Sequence, residues 1–534
     1  MKNFLIVSEG DNVAVALQDL KRHDILAING SNVSLAQDIP SKHKVALTDL
    51  AVNDIVNMYG VPVGRVVKPI SKGGIITTDN VMHTAAPYGI KGVDYIYDAP
   101  EVGALRHRSF MGFHRPDGQV GTANYWAFIP LVFCQNRNLK VLREAFEAEL
   151  GFKKENPYRW RIRQHAGGKE IPSEEPVPDR PFNNIDGIKF LTHVGGCGST
   201  REDAQSLVDL LAGYIKNPNV AGATVLSLGC QHAQIDLLKK ALADGMGVGK
   251  PVHYFEQQQY GTEREMMFDI IDTTFQSLTE VNKLVREPAP LSKLSIGLEC
   301  GGSDGFSGIT ANPLIGHVSD RINTLGGRTI LAEFPELCGV EQDLINRCTS
   351  REIAQKFIGL MEDYGNLAKS VGSGFDMNPS PGNIKDGLIT DAMKSAGAAT
   401  KGGRSPIADV LDYGEYATKQ GLHLLCTPGN DVESTTGLAG FGANLILFST
   451  GLGTPTGNIV CPVIKISTNS ELPKRMKDII DFDAGRLLSG HYSMEQMSDE
   501  LIELIIAVAS GEKKTCADVL GQDDFIPWKR GVSL

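Results

Sequence analysis

Residues suited to catalysis follow an apolar segment in the second half of the chain. The strand-like run 294–298 ends at Glu299 and Cys300, and a glycine-rich turn then presents Ser303 and Asp304. In open α/β sheets, ligands bind beyond the carboxyl ends of the strands, where glycine loops let the backbone approach a ligand. Carboxylate, thiol and hydroxyl groups at such a place can bind a metal ion or transfer protons. The sequence therefore predicts a ligand site in this loop.

Three predicted strands end in a cysteine beside glycine, namely Cys197, Cys230 and Cys300. Thiolates bind soft metals, so cysteines brought together by folding suit an iron–sulfur cluster or a single Fe²⁺ ion. A buried cysteine is equally a small hydrophobic residue that fits a tight turn. Both interpretations stay open at this point. The nine cysteines contain no Cys-x-x-Cys pair, which is typical of a reducing cytoplasm rather than a disulfide framework.

Histidines near predicted turns and strand ends are candidates for metal binding or proton transfer. They are His43, His83, His114, His193 and His232. His114 is favoured because Arg115, which can pair with a carboxylate, and Asn124, which can contact a hydroxyl, lie in the same polar run. His43 and Lys44 begin a predicted strand together, which suggests a mobile lid.

Other polar loops narrow the class of ligand. The glycine-rich run 450–457 lacks the lysine of a phosphate-binding loop, and no Gly-x-Gly-x-x-Gly motif with a suitably placed acid follows a first strand. Nucleotide cofactors are therefore disfavoured. The loops 378–383 and 427–431 add amide and hydroxyl groups. Such groups suit a small ligand with many hydroxyls.

The charge and the apolar runs of the sequence indicate which partners and which cellular location to expect. The net charge is -11 and there is no strong basic block, so nucleic acid is disfavoured as a partner. The first apolar run is too short for a signal peptide, and no apolar run is long enough to span a membrane. We therefore expect a cytoplasmic protein without a membrane partner.

A chain of 534 residues is long enough for about three domains. Short apolar runs broken by turn residues predict a small β domain over residues 1–88, and residues 89–105 are typical of a linker. Alternating strand and helix patterns predict an α/β domain over 106–290 and a C-terminal α/β catalytic domain over 291–534, both with mostly parallel sheets. In the C-terminal domain, strand-like runs at 294–298, 329–332, 422–425, 444–448 and 460–466 alternate with loops and helical patterns, one of which covers residues 341–364.

Several motifs together resemble one known family over almost the whole chain. These are the runs His114–Trp126, Thr192–Gly198, Glu299–Pro313, Asn378–Asn383, Thr427–Gly437 and Pro462–Lys465 with Thr468–Asn469. The family they resemble is that of the altronate/galactarate dehydratases, and the N-terminal region is similar to its SAF domain, a β-clip fold. Phe334 departs from the family pattern, in which threonine is expected.

The resemblance implies a hydro-lyase that removes water from a sugar acid. It implies D-altronate as substrate, 2-dehydro-3-deoxy-D-gluconate as product, and Fe²⁺ or Mn²⁺ as cofactor, with the iron–sulfur cluster as the lesser alternative. Galactarate or another aldarate or aldonate is the alternative substrate, and a non-enzymatic sugar-acid-binding protein is the alternative of another class. A homo-oligomer is compatible with the sequence.

Dehydration next to a carboxylate needs a base, a Lewis acid and groups that hold the substrate. The predicted catalytic residues are His43, His83, His114 and Glu299. The predicted metal ligands are His43, His83, Glu299 and Cys300. The predicted carboxylate-binding residues are Arg115 and Lys465, and the other predicted substrate contacts are Asn124, Ser303, Asp304, Asn383 and Asp431.

Overall fold

The computed structural model describes residues 3–28, 31–92, 95–153, 156, 158–167, 179–243, 246, 247 and 249–533. The polypeptide forms two compact units, each made of two stretches of chain. The larger unit contains Met1–Phe110 and Pro288–Asp524, and the smaller unit contains Met111–Glu287 and Phe525–Leu534. Within the described ranges, no helix combines the length and the apolar character needed to cross a bilayer.

Short antiparallel strands form the N-terminal region of the larger unit. They are β1 (Phe4–Leu5), β2 (Val13–Ala16), β3 (Ile25–Ile28), β4 (Ser31–Ser34), β5 (Lys44–Ala46), β6 (Ile55–Met58), β7 (Val61–Val66) and β8 (Val81–Met82). Apolar side chains from these strands, among them Ala14, Leu26 and Val45, form a core of their own. The predicted N-terminal β region is confirmed.

The smaller unit is built around a parallel sheet. The strands of this part of the chain are β9 (Ser109–His114), β10 (Val120–Gly121), β11 (Tyr125–Pro130), β12 (Gly187–Phe190), β13 (Val220–Ser227), β14 (Val252–Glu256) and β15 (Glu287–Pro290). The helices are α1 (Asn136–Glu149), α2 (Tyr158–His165), α3 (Arg201–Lys216), α4 (Ile235–Ala243) and α5 (Glu263–Val281). The parallel strands lie in the order β12, β11, β13, β14.

The C-terminal part of the larger unit contains a second parallel sheet. Its strands are β16 (Ser295–Cys300), β17 (Arg328–Leu331), β18 (Ile407–Leu411), β19 (Gly421–Leu425), β20 (Leu445–Thr450), β21 (Val463–Ser467) and β22 (Phe482–Asp483). Among the described residues, these seven strands lie in the order β18, β19, β17, β16, β20, β21, β22 and run parallel to one another. The predicted α/β class with parallel sheets is confirmed.

Helices cover this sheet and carry loops to its edge. They are α6 (Ala311–Thr324), α7 (Glu341–Arg347), α8 (Arg351–Ser370), α9 (Pro381–Lys385), α10 (Asp391–Ala399), α11 (Asp431–Gly440), α12 (Leu472–Arg475), α13 (Met494–Ala509) and α14 (Cys516–Leu520). The predicted single helical pattern over 341–364 is two helices, α7 and α8. The hydroxyl of Ser350 caps α8 by accepting a hydrogen bond from Ile353 N, and the apolar pattern runs across this break.

Candidate active site

The candidate site lies at the carboxyl edge of the C-terminal sheet. Strand β16 ends at Cys300, Glu333 follows β17, and Thr427 follows β19. Helix α11 then begins at Asp431. Because these strands are parallel, their carboxyl ends meet at one edge, which is where ligands bind in open α/β sheets.

Two glycines let neighbouring groups approach the loop that follows β16. A Cβ atom on Gly301 would lie 2.0 Å from Oδ2 of Asp431 and 2.7 Å from the ring of Phe448. A Cβ atom on Gly305 would lie 2.3 Å from the backbone oxygen of Lys42. Only glycine fits such close approaches. The loop therefore contacts α11 at one end and the N-terminal β region at the other.

Glu299, Glu333 and Asp431 form what we call the carboxylate cluster. Each offers one oxygen atom, and these oxygens lie within 4.8 Å of one another. Oε2 of Glu299 accepts a 2.6 Å hydrogen bond from the hydroxyl of Ser434. Oε1 of Glu299 and Oε1 of Glu333 are buried and have no hydrogen-bond partner among the described residues. A buried acceptor without a hydrogen-bond partner destabilises the folded protein, so these two oxygens are suited to binding a cation.

The electrostatics of the carboxylate cluster agree with that geometry. Burial and then the neighbouring Glu333 raise the pKa of Glu299 well above its usual range. Burial and then Glu336 raise the pKa of Glu333. Burial and then Glu333 raise the pKa of Asp431 to about 7. A divalent cation would favour the ionised form of all three, because it supplies the missing positive charge.

The donor set fits a hard or borderline divalent ion. Carboxylate oxygens suit Mn²⁺ and ions of similar chemistry, and Fe²⁺ accepts carboxylates in many of its sites. The residues that would hold such an ion are Glu299, Glu333 and Asp431. The identity of the metal stays a prediction.

A buried network of ammonium groups lies beside the cluster. Nζ of Lys401 lies 2.7 Å from Sγ of Cys300 and 2.7 Å from Oε2 of Glu333. The thiol of Cys300 donates to Oε2 of Glu336 at 3.1 Å, and Nζ of Lys394 lies 2.6 Å from Oε1 of Glu336. Burial disfavours the charge on Lys401, but Cys300, Glu333 and Glu336 raise its pKa well above its usual range. In this structure the thiol is thus engaged with protein groups.

Glu333 is held in an unusual backbone conformation. Its φ of 69° and ψ of 64° lie in the left-handed region, which costs a residue other than glycine about 1–3 kcal/mol. The hydroxyl of Thr427 accepts a 2.8 Å hydrogen bond from Glu333 N. The next residue, Phe334, is buried with its ring edge-on to Phe357. Phe334, at the position where the resemblance implies threonine, is therefore a core residue in this chain. The hydroxyl group next to the backbone of Glu333 comes from Thr427 instead.

Asp304, Ser303 and Asn383 hold the loop together in this structure. Oδ2 of Asp304 lies 3.0 Å from Nζ of Lys42, and Oδ1 accepts a 2.9 Å hydrogen bond from the hydroxyl of Thr468. The amide of Asn383 donates to the backbone oxygen of Ser303 at 2.7 Å. Direct contact of these three residues with a substrate stays a prediction.

His43 lies in a segment of the N-terminal region that is fixed on both sides. Nζ of Lys42 lies 2.8 Å from Oδ1 of Asp386, and Nζ of Lys44 donates to the backbone oxygen of Gly387 at 2.6 Å. Burial lowers the pKa of Lys44 to about 7 and also lowers the pKa of His43. A lowered pKa favours the neutral imidazole of His43, which is the form that can accept a proton. Opening of this segment as a lid stays a prediction.

Lys465, on β21, lies against the ring of Phe448. Its Nζ lies 4.3 Å from the centre of the Phe448 ring, which itself borders Gly301. Nζ is buried and has no hydrogen-bond partner in the part of the chain that the structure describes. Burial lowers the pKa of Lys465 to about 8, and Asp481 opposes this effect. An ammonium group in this position is suited to an anionic ligand.

The four predicted metal ligands do not form one group. Glu299 belongs to the carboxylate cluster, whereas Cys300 groups with Glu333 and Glu336. His83 groups with Cys338 and Asp391. Among the described residues, no such group of three contains His43.

Three of the predicted site residues belong to the smaller unit. His114 ends β9. Nε of Arg115 donates to the backbone oxygen of Pro218 at 2.7 Å, and Nη1 donates to Oδ1 of Asn124 at 3.0 Å. The amide of Asn124 in turn donates to the backbone oxygen of Asn184 at 2.7 Å. Arg115 and Asn124 thus connect segments of this unit, and their contacts with a substrate stay predictions.

Cys197 and Cys230 also belong to the smaller unit, where their turns are neighbours. The backbone oxygen of Gly196 accepts a 2.9 Å hydrogen bond from His232 N. Cys230 is exposed and Cys197 is half-buried, whereas Cys300 is buried in the larger unit. A cluster that joins all three cysteines stays a prediction.

Sequence reasoning did not select Glu333, Glu336, Lys394 and Lys401. Glu333 follows the predicted strand 329–332, so the rule that selected Glu299 at a strand end also applies to it. Lys394 lies in α10 and Lys401 in the turn after it, and no motif marks either residue.

Three family models together cover most of the chain. "D-galactarate/Altronate dehydratase, C-terminal" matches residues 291–533, and "D-galactarate dehydratase/Altronate hydrolase, second domain" matches residues 112–282. "Altronate/galactarate dehydratase SAF domain" matches residues 2–84. The resemblance seen in the motifs is thereby confirmed.

Curated relatives match over nearly their whole length. The chain is 35% identical to an altronate dehydratase of Bacillus subtilis (strain 168) over 512 residues, 96% of each chain. It is 35% identical to an altronate dehydratase of Escherichia coli (strain K12) over 525 residues, 98% of each chain. It is 30% identical to a galactarate dehydratase (L-threo-forming) of Escherichia coli (strain K12) over 525 residues, 97% of this chain and 95% of the relative. With a site of buried carboxylates at the edge of its C-terminal sheet, the chain is a hydro-lyase of the altronate/galactarate dehydratase family.

Proposed function

We propose that this protein dehydrates D-altronate to 2-dehydro-3-deoxy-D-gluconate. The observation that carries the proposal is the carboxylate cluster, in which two oxygens have no hydrogen-bond partner among the described residues. The ammonium group of Lys465 lies over the ring of Phe448, which borders Gly301 beside Asp431. The identity of 35% to two altronate dehydratases, against 30% to a galactarate dehydratase, supports altronate over galactarate.

The chemistry requires three events on the substrate. A base takes the proton from the carbon next to the carboxylate, the carbon–oxygen bond at the following carbon breaks, and the leaving hydroxide is protonated to water. The enol then converts to the 2-keto-3-deoxy acid. A divalent ion held by Glu299, Glu333 and Asp431 would supply Lewis-acid stabilisation of the negative charge on substrate oxygens. Lys465 binds the substrate carboxylate in this proposal.

His43 is the base in this proposal. Its neutral imidazole lies in the segment whose Lys42 oxygen approaches Gly305, and Gly301 of the same loop approaches the carboxylate cluster. Four residues of chain span roughly 14 Å at most, so the segment that contains His43 and the carboxylate cluster border the two ends of one short loop. His114 stays an alternative base in the smaller unit.

A panel assay tests the function. The full-length protein is incubated without oxygen, with Fe²⁺ or Mn²⁺, and with altronate, galactarate and galactonate in turn, and the 2-keto-3-deoxy product is quantified. We expect product from altronate at the highest kcat/KM. Product from galactarate alone would overturn the choice of substrate, and tight binding without product from any acid would favour a sugar-acid-binding protein.

The Lys465→Met variant tests the proposed carboxylate contact. Loss of a charged hydrogen bond of about 1.5–3 kcal/mol predicts a kcat/KM that is lower by roughly 10- to 100-fold, mainly through KM. Because the pKa of Lys465 is about 8, its charge is lost as the pH rises through that value. The kcat/KM of the native protein should therefore decline above pH 8, and this decline should be absent in the variant.

The matched control is Lys474→Met, which removes an exposed ammonium group from α12. We expect its KM and its pH profile to equal those of the native protein. An unchanged KM in the Lys465→Met variant would contradict the carboxylate contact.

A further inference from the structure

A second group of ligand atoms lies where the N-terminal β region meets the C-terminal part of the larger unit. His83 follows β8, Cys338 follows the short helix Phe334–Leu337, and Asp391 is the first residue of α10. A ring nitrogen, a thiol sulfur and a carboxylate oxygen from these residues lie within 4.8 Å of one another. Imidazole, thiolate and carboxylate are the ligands of borderline transition metals such as Zn²⁺ and Co²⁺.

Asp391 has an oxygen available for such an ion. The residue is 1% exposed, and its Oδ2 has no hydrogen-bond partner within the described ranges. The start of α10 does not need this carboxylate, because the hydroxyl of Thr390 accepts the capping hydrogen bond from Met393 N at 3.2 Å. Its Oδ1 accepts a long hydrogen bond, 3.3 Å, from the hydroxyl of Ser395, and the thiol of Cys338 also interacts with the carboxylate as a hydrogen-bonding neighbour. A buried carboxylate oxygen without a hydrogen-bond partner lowers the stability of the fold unless a cation is bound to it.

The charges around the group favour a cation. Three nearby carboxylates act on its members. Asp376 favours the protonated imidazole of His83, Asp376 and Glu341 make the thiol of Cys338 harder to ionise, and Glu336 does the same for the carboxyl group of Asp391. The ammonium group of Lys394 acts on Asp391 with the opposite sign, and its Nζ already lies 2.6 Å from Oε1 of Glu336. The local field is therefore negative where the three ligand atoms meet.

We propose that His83, Cys338 and Asp391 bind a divalent transition metal of the zinc and cobalt class, at a site separate from the carboxylate cluster. On binding, the thiol of Cys338 loses its proton to solvent and its sulfur coordinates the ion. Three protein ligands leave a fourth position for water. Because His83 comes from the N-terminal region and the other two ligands from the C-terminal part, the ion ties these parts of the larger unit together. A hydrogen bond from the Thr390 hydroxyl to the backbone oxygen of Val63 links the same two parts.

Cobalt titration of the full-length protein tests this site. The protein is treated with a chelator under reducing conditions and titrated with Co²⁺, while the thiolate-to-cobalt absorption in the near ultraviolet is recorded. We expect the native protein to develop this absorption. The Cys338→Ser variant should lose the absorption and one equivalent of bound metal, and it should gain less thermal stability from the ion than the native protein.

The matched control is Cys348→Ser, which changes another half-buried cysteine of the same unit. It should keep the absorption, and so should Glu299→Gln, because Glu299 is not one of the three proposed ligands. Far-ultraviolet circular dichroism shows whether Cys338→Ser is folded, and Asp391→Asn, with native circular dichroism, should also weaken Co²⁺ binding. Absorption that persists in Cys338→Ser, or that is absent in the native protein at saturating Co²⁺, overturns the proposal whatever the outcome of the substrate panel.

Discussion

The Glu299→Gln variant is expected to lose one equivalent of bound Fe²⁺ or Mn²⁺ and at least about 10³-fold in kcat/KM. The substitution keeps the shape of the side chain and an oxygen that can accept from Ser434. It removes the negative charge from a buried group whose Oε1 has no hydrogen-bond partner among the described residues. Lewis-acid stabilisation is worth several kcal/mol, and about 4 kcal/mol corresponds to 10³-fold. Metal content and turnover are measured on the same samples.

Glu433→Gln is the matched control for this change. Glu433 lies two residues after Asp431 on α11, is half-buried, and does not belong to the carboxylate cluster. Its variant should bind metal and turn over substrate as the native protein does. A Glu299→Gln variant with native metal content and native kcat/KM would remove the carboxylate cluster from the mechanism.

The strand-end rule accounts for what the sequence could predict at this site. The run 294–298 predicted β16 closely, and the side chain at its end, Glu299, lies in the carboxylate cluster. The rule works because parallel strands deliver their carboxyl ends to one edge, whatever the order of the strands. The predicted strands 329–332, 422–425 and 444–448 likewise correspond to β17, β19 and β20, because each is a short apolar run bounded by turn residues.

The partners of these residues depend on pairings far apart in the chain, which local patterns do not encode. Lys401 and Cys300 are 101 positions apart, and Lys42 and Asp386 are 344 positions apart. Nothing in the local sequence of Lys401 distinguishes a buried ammonium group from a solvated one. The same holds for His83, whose neighbours Cys338 and Asp391 are known only once the two parts of the larger unit are folded together.

The Lys401→Met variant is expected to lose about 3–5 kcal/mol of stability in the larger unit. Lys401 is 1% exposed, and its Nζ lies 2.7 Å from both Sγ of Cys300 and Oε2 of Glu333. Removing one partner of a buried ion pair leaves the other charge without compensation, and losses of that size follow. The loss is measured as a lower midpoint in calorimetry. The three tryptophans, at positions 126, 160 and 528, all lie in the smaller unit, so their fluorescence reports on that unit separately.

Two further variants separate charge from packing. Lys356→Met removes an ammonium group that pairs with Glu415 at the surface, and it should change stability by no more than about 1 kcal/mol. The double variant Glu333→Gln/Lys401→Met removes both charges of the buried pair, so it should be more stable than Lys401→Met alone. If the double variant is no more stable than Lys401→Met, the cost arises from lost packing of the lysine chain, and the charge compensation proposed for Glu333 is wrong. In contrast to Lys401→Met, Glu299→Gln should raise the stability of the larger unit. Burial disfavours the ionised carboxylate of Glu299 and raises its pKa well above its usual range, and a neutral amide does not carry this desolvation penalty.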